Sequence, residues 1–516
     1  MNAADLVLDP VKVRERPDAP ALLFNDSAVS YAELLASVNR FGNGLAALGV
    51  ERENRVAYLL KDTPDLVAAY LGAMKIGAVP LAMNVRAAPK DIAFMLRDSR
   101  AKVLIVDEEF LPAFAAIEHE LAHPPKVFVA NLASAGISGE RKPIDALTTG
   151  QSDRLDAEPM SPDDTALWVY TSGTTGSPKA AVHLHHNIAA AVDYSHGVLG
   201  VGPGDRLLAT SKLFFAYSLG NCLFGSLMLG ATTILFDGWP DSAAIASVVK
   251  KHRPTLLYSV PTMYRNLLRD GMASRELFER VRVFITAGER LPAVLFERWK
   301  EATGRELVDG MGTSETIYMI ISNPHNRPRS GASGMPVPNV HLEIRNDRNE
   351  VIHEPGVAGV LWVRGSSVAD RYWNQQARSH AAFIGGWFRT GDMYVRDADG
   401  YWYHEGRADD MLKISGQWAS PAEIEDHVLK VPGISDAAVV GVENADGLMR
   451  LVLFAVPVNP GERVETLAAQ VQDRLHDKIS VYKIPRDVRL VAEIPRTTTG
   501  KVQRFKLRDD AKAKPP

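Results

Sequence analysis

The chain has 516 residues, of which 46% are hydrophobic and 23% charged, with a formal net charge of −4 and a single cysteine. These fractions exclude a disordered, collagen-like or coiled-coil chain, and the charge leaves no basic footprint for nucleic acid. Cys222 alone can neither close an internal disulfide nor build a cysteine zinc cage, so a reducing cytoplasm is the expected compartment.

At roughly 150 residues per domain, the length predicts about three domain-sized pieces. The first twenty residues carry Asp5, Asp9, Lys12, Arg14, Glu15, Arg16 and Asp18 and so hold no apolar signal core. Further on, RVAYLL (55–60), KVLIVDE (102–108), TLLYSV (255–260) and RVFITAGE (282–289) each precede a helical-period stretch such as PDLVAAYLGAMKIGA or LPAFAAIEHELA. Short β-branched runs followed by amphipathic segments predict parallel α/β layers. Residues 213–236 carry no charge and are long enough to span a bilayer. Gly220, Asn221, Gly225 and Gly230 interrupt them, and their ATTILF end reads as a strand, so a buried helix followed by a buried strand is expected. From about 340 the pattern turns strand-dense, and the last hundred residues read as a compact α+β unit.

The strongest chemical signal is YTSGTTGSPKAA (170–181), directly after the apolar run ALWVY. Such a hydroxyl- and glycine-rich loop can wrap phosphates with N–H and O–H donors, and Lys179 adds a positive charge. It is not a Walker loop, because Pro178 and Ala180 stand where that motif needs Gly and Ser or Thr. A flexible surface loop is the plain alternative. His183, His185 and His186 have no acidic or cysteine partner nearby in sequence and are expected to be solvated or capping rather than metal ligands. MGTSE (311–315) sets hydroxyls beside Glu315, a combination suited to phosphate and Mg²⁺. WFRTGD (387–392) ends a strand on Asp392, an acceptor for ribose hydroxyls, and PRTTTGKVQR (495–504) puts Lys501 after a flexible glycine. Taken singly, these residues also fit a helix cap, a turn and a solvated lysine.

Together and in order, TSGTTGSPK, LFFAYSLG, TAGE, MGTSE, WFRTGD, GRADDMLKISG, SPAEIE, VYKIP and PRTTTGK resemble the adenylate-forming superfamily of acyl-CoA synthetases, adenylation domains and luciferases. The resemblance covers about residues 20–508 and is nearest to the benzoate-CoA ligase branch. It implies an α/β N-terminal lobe (1–408) of two layered α/β subdomains plus a small β-barrel-like subdomain. A small, mobile α+β C-terminal lobe (409–516) would follow, with the hinge at Asp409.

The reaction implied has two steps: a carboxylate attacks the α-phosphorus of ATP, then the thiol of coenzyme A displaces AMP. By the same resemblance, Thr171, Ser172, Gly173, Thr174, Thr175, Gly176 and Lys179 would hold the β- and γ-phosphates. Glu315 would bind Mg²⁺ and Thr313 would reach the α-phosphate. Ala287, Gly288, Glu289, Asp309, Gly310, Met311 and Gly312 would line the adenine, and Asp392 with Arg407 would hold the ribose. Lys501 would bridge the acyl carboxylate and α-phosphate. Lys413, Ser415, Gly416 and Trp418 would serve the coenzyme A side, exchanged with Lys501 by rotation at the hinge. Met311, Ala180, Val360 and Trp418 depart from the usual family residues.

The acid would lie among Phe215, Ala216, Tyr217, Gly312, Tyr318 and Met319, apolar walls without a cation for a second carboxylate. A small aromatic acid such as benzoate or a hydroxybenzoate is expected, with the Tyr318 phenol available to a ring substituent. Tyr217 and Tyr318 are equally readable as plain pocket walls or core aromatics. Aliphatic, alicyclic or heteroaromatic acids and a carrier-protein thiol in place of coenzyme A stay open at this level, while a non-catalytic binding homologue is disfavoured because Lys501, Glu315, Asp392 and the hydroxyl- and glycine-rich loop occur together. No nucleic-acid or membrane partner is expected, and both a monomer and a homodimer are compatible.

Overall fold

The computed structural model describes residues 1–132, 141–171, 178–408, 412–414, 417–443, 449–459, 461–476, 478–496 and 502–513. Its largest sheet runs in the order Met335–Pro336, Met319–Ser322, Leu307–Gly312, Val283–Thr286, Leu256–Ser259, Arg206–Ala209, Thr232–Leu235, Pro20–Phe24, Ser27–Ser30. The middle pairs are parallel and the outer ones antiparallel. Every residue of Leu256–Ser259 and Val283–Thr286 is buried, as apolar runs covered on both faces must be. One face is packed by helices Ser242–His252, Pro261–Arg269 and Ala293–Thr303 through Ile245, Tyr264, Leu267, Phe296 and Trp299. Their ends are written in the sequence: Asp241 caps Ala244 N–H, Pro261 opens the second helix, and Gly304 closes the third at φ 75°.

A second, all-parallel sheet holds Val79–Ala82, Arg55–Leu59, Val103–Asp107, Lys126–Ala130 and Lys142–Pro143. Helices Tyr31–Ala47 and Pro64–Lys75 cross beside it at a close approach. A Cβ on Gly72 would sit 2.8 Å from the backbone nitrogen of Gly42, so the crossing needs hydrogen there. The expected helix over LPAFAAIEHELA is shorter than its periodicity predicts. Leu111–Ala115 is helical, and the chain then tightens into i→i+3 bonds that bury Ile117 and Leu121.

A small β-rich unit follows, a five-stranded antiparallel sheet built on Gly359–Arg364 and Trp387–Arg396. The terminal lobe pairs Ile434–Glu443 with Met449–Pro457. Asp487–Leu490 joins in parallel after the crossover helix Val464–His476. Large and small lobes meet through Arg290 with Asp426 at 2.7 Å and Arg265 with Asp436 at 3.2 Å.

Residues 213–236 form a buried helix and then the buried strand Thr232–Leu235, as expected. The helix is wide over Tyr217–Phe224, where Gly225 N–H reaches back five residues to Gly220 O. Among the described residues no helix is long and apolar enough to cross a membrane. Cys222 is buried in this segment, and burial pushes its thiol well above the ordinary range.

Candidate active site

A cleft between the lobes takes its floor from the carboxyl ends of the parallel strands, where open α/β sheets place their ligands. Strand Thr165–Thr171 turns back as Lys179–Leu184, with Thr171 opposite Lys179. That register sets the two ends of the phosphate-loop motif side by side at the cleft, while residues 172–177 lie outside the described part.

Lys179 meets Glu315 at 3.0 Å, and both meet a third residue that sequence reasoning did not single out, Tyr372. The Lys179 ammonium donates to the Tyr372 hydroxyl at 2.7 Å, and that hydroxyl donates to Glu315 Oε1 at 2.7 Å. Burial pushes the Glu315 carboxyl up, but the Lys179 charge and the hydrogen bonds from Tyr372 and Lys179 outweigh it and hold it below its ordinary value. An ionised, buried carboxylate beside a lysine could hold a hard divalent cation whose remaining ligands are phosphate oxygens. Nothing in the sequence of ADRYWN marks Tyr372. It arrives because Arg371–Tyr372 pairs with Lys179–Leu184 as a third strand.

The Glu315 segment is fixed from several sides. Ala369 N–H donates to Glu315 O at 2.7 Å, and Thr316 Oγ1 accepts from Thr313 N–H at 3.0 Å. His183 Nε2 lies 2.8 Å from Ser314 O. Burial lowers the His183 pKa to about 4, so the neutral ring donates this bond. The expectation of solvated or capping histidines therefore fails for His183, which is buried within its strand and ties it to the MGTSE segment. His185 does cap, its Nδ1 accepting Ala3 N–H at 2.9 Å at the start of helix Ala3–Val7, and half-buried His186 faces Asp163 at 3.3 Å. Ile317 adopts φ 52°, a left-handed backbone that a β-branched residue rarely accepts.

In the segment expected to take the adenine, Gly288 turns at φ 86°, and Glu289 accepts a 2.7 Å bond from Thr262. Glu289 Oε1 and Asp309 Oδ1 are buried without partners, and burial raises both carboxyl pKa values. A Cβ on Gly310 would fall 2.6 Å from Ile321 O, and one on Gly312 2.7 Å from Tyr318 O, so the return strand demands glycine at both. Met311 and Thr313 line the same cleft.

Asp392 lies inside strand Trp387–Arg396 rather than at its end, because Gly391 at φ 76° and a register shift after Met393 let the strand continue. Its carboxylate meets Arg407 at 3.1 Å and His404 at 3.3 Å.

Around the expected acid site, Phe215 packs on Phe214 at 4.3 Å beside buried Ala216. The Tyr217 hydroxyl lies 3.2 Å from Ser259 O and 3.4 Å from Ile285 O, at the carboxyl ends of two floor strands. Met319 pairs with Gly312, its N–H bonded at 3.1 Å to buried Asn221. Tyr318 departs from the expected role. Its hydroxyl donates to Ile188 O at 2.9 Å within the hydrophobic core, so its proton is not available to a ring substituent.

Arg496 and Val502 bridge to each other, and both line the cleft, Arg496 lying 3.8 Å from Glu289. The expected catalytic Lys501 follows between them but lies outside the described residues, as do Asp409, Ser415 and Gly416. Lys413 and Trp418 are opposite one another in the pair Leu412–Ile414 and Gln417–Ala419, and their side chains are not described.

Residues 10–373 match the AMP-binding enzyme family and residues 423–501 the AMP-binding enzyme C-terminal domain. The chain is 47% identical to the 3-hydroxybenzoate–CoA ligase of Aromatoleum sp. (strain CIB), covering 99% of this chain and 97% of that one. It is 41% identical, over the same shares, to the 3-hydroxybenzoate–CoA/4-hydroxybenzoate–CoA ligase of Thauera aromatica. Among solved structures it resembles the anthranilate CoA ligase AuaEII in complex with anthranoyl-AMP, with TM-score 0.92 and 34% identity over 99% of this chain and 98% of that one.

Proposed function

The chain belongs to the AMP-binding enzyme family, and from that premise we propose that it joins a hydroxybenzoate to coenzyme A. It is an AMP-forming aromatic-acid–CoA ligase using ATP. The acid carboxylate attacks the α-phosphorus and expels pyrophosphate. The thiol of coenzyme A then attacks the acyl carbon and expels AMP. Adenylation is needed because a free carboxylate has no good leaving group.

The observation that carries the nucleotide half is the joining of Lys179, Glu315 and Tyr372 on the cleft that also holds Asp309 and Asp392. Lys179 and the loop after Thr171 would take the β- and γ-phosphates, and Thr313 would reach the α-phosphate. Glu315 would hold Mg²⁺, which when bound neutralises charge on the phosphates. The unpartnered Asp309 Oδ1 suits a nucleobase amino group, and Asp392 with Arg407 the ribose hydroxyls. Lys501 would bridge carboxylate and α-phosphate, carried in by the small lobe that turns at Asp409. The 408/409 boundary and a cytoplasmic site of action belong to this reading.

A hydroxybenzoate is favoured over other acids by the two relatives named and by half-buried Tyr217, whose hydroxyl spends its proton on Ser259 O but keeps its oxygen as an acceptor for a ring hydroxyl. The test is acid-dependent ATP–pyrophosphate exchange and thioester formation with 3-hydroxybenzoate, 4-hydroxybenzoate, benzoate, 2-aminobenzoate and hexanoate. The highest kcat/KM is expected with 3-hydroxybenzoate. A preference for hexanoate, or exchange with no aryl acid, would refute the assignment.

A further inference from the structure

The Lys179–Glu315–Tyr372 cluster contains two groups that a nucleotide would pull apart. Phosphates attract the ammonium of Lys179, and a divalent cation attracts the carboxylate of Glu315. In the structure both donors, Lys179 Nζ and the Tyr372 hydroxyl, converge on the same oxygen, Glu315 Oε1. Only one of them is free to travel.

Lys179 is half-buried on a four-carbon stem, which allows its ammonium to swing. Tyr372 is held at every level. Its strand is paired to Lys179–Leu184, with Trp373 N–H donating to Ala180 O and Asp370 N–H to Val182 O, both at 2.9 Å. Its own N–H donates to Ser379 Oγ at 3.0 Å, and that hydroxyl lies 2.9 Å from Gln375 O and 3.2 Å from Tyr372 O. Its ring is buried against Phe383 at 5.2 Å and carries the Lys179 ammonium over its face at 4.0 Å.

We infer that Tyr372 is a positioning residue that keeps the Glu315 carboxylate aimed at the metal site while Lys179 leaves it for the nucleotide phosphates. Being uncharged, the phenol gains nothing by following the phosphates. The carboxylate therefore keeps one fixed hydrogen bond through the exchange of its cationic neighbour. A metal ligand oriented in this way loses less freedom when the cation arrives. The inference rests on the reading that MgATP is the nucleotide.

Tyr372→Phe removes the hydroxyl and retains the ring contacts. Calorimetric titration should give ATP affinity with and without Mg²⁺ for both proteins. In the wild type Mg²⁺ should tighten ATP. In Tyr372→Phe about tenfold of that tightening should be lost, with ATP binding in EDTA unchanged. The KM for MgATP should rise by about the same factor, with kcat changed less than about threefold. An unchanged Mg²⁺ effect in a Tyr372→Phe protein of wild-type thermal midpoint overturns the inference alone. A wild type that binds no ATP overturns the parent reading as well. Should Tyr372→Phe melt far below the wild type, the wild-type crystal structure with a non-hydrolysable MgATP analogue decides. The phenol still on Glu315 with Lys179 on phosphate upholds the inference, and a phenol turned away from Glu315 overturns it.

Discussion

Arg290 of the large lobe and Asp426 of the small lobe form a 2.7 Å ion pair, and the same guanidinium donates to Ala422 O. Arg496 and Val502, which bridge to each other, line the same cleft between the lobes. On the proposed two-step reaction, the Arg290–Asp426 pairing is expected to favour the lobe orientation of the first half-reaction. Arg290→Ala should slow acid-dependent ATP–pyrophosphate exchange by about two- to fivefold, the worth of about 0.5–1 kcal/mol for a partly exposed pair. Thioester formation from synthetic acyl-adenylate should be unaffected. Equal slowing of both halves would deny the pair a conformational role.

Lys501→Ala makes a sharper version of the same separation. Exchange should fall by about two to three orders of magnitude, as when a charge on the developing phosphorane is removed. Conversion of preformed acyl-adenylate and coenzyme A to thioester should stay within a few-fold of wild type. Single-turnover assays of each half-reaction measure both.

Tyr318→Phe separates a core role from a recognition role. Losing the donor leaves Ile188 O buried without its 2.9 Å partner, which should cost about 1–3 kcal/mol in denaturant unfolding. The ratio of kcat/KM between 3-hydroxybenzoate and benzoate should not move. Tyr217→Phe should instead lower that ratio, and the two variants assayed together show which phenol reads the ring.

Asp62 provides a pH-dependent test of stability. Its carboxylate is buried, accepts Leu213 N–H at 3.1 and 3.2 Å, and faces Lys212 at 3.9 Å. Burial raises its pKa to about 6 from 3.8, only partly opposed by Lys212 and the Leu213 bond. A group raised in the folded state favours folding while protonated, so its contribution is complete below about 4 and is lost as pH rises through about 6. Asp62→Asn has no such dependence at this position. The unfolding free energy of the wild type relative to Asp62→Asn, from denaturant titrations, should therefore fall between pH 4 and pH 7 and level off above it, by a few kcal/mol at most. A constant difference across that range would remove Asp62 as the titrating group.

The parallel layers were legible because strands such as Leu256–Ser259 and Val283–Thr286 are buried on both faces and so are written as unbroken apolar runs. Asp392 and Glu315 were legible because each sits in a short segment of compatible donors. Tyr372 was not, since its function depends on a strand pairing that joins residues far apart in the chain, and no local pattern encodes that partner. His183 was misread for a related reason. With no ligating partner nearby in sequence it reads as solvated or capping, yet its strand is covered on both faces and Ser314 O, far along the chain, supplies the bond that offsets its burial. Tyr318 resembled a pocket residue by position in the motif, but the left-handed turn at Ile317 directs the chain so that its phenol ends at Ile188.

The wide helix at Tyr217–Phe224 has a practical consequence for altering which acid is accepted. Tyr217 and Cys222, five residues apart, pack into one cluster with Tyr258 and Met319, whereas Leu219, Leu223 and Phe224 pack into another. A regular 3.6-residue count from Tyr217 would choose Asn221 instead, whose amide is occupied by Tyr217 O and Met319 N–H. Randomising Tyr217 with Asn221 would therefore break a backbone clamp, while Tyr217 with Cys222 varies two side chains that pack in one core cluster. Deleting one residue here would turn everything after it by about 100° and take both packed faces off their partners. Directed evolution of this ligase toward larger ring acids should therefore begin from positions 217 and 222 as a coupled pair.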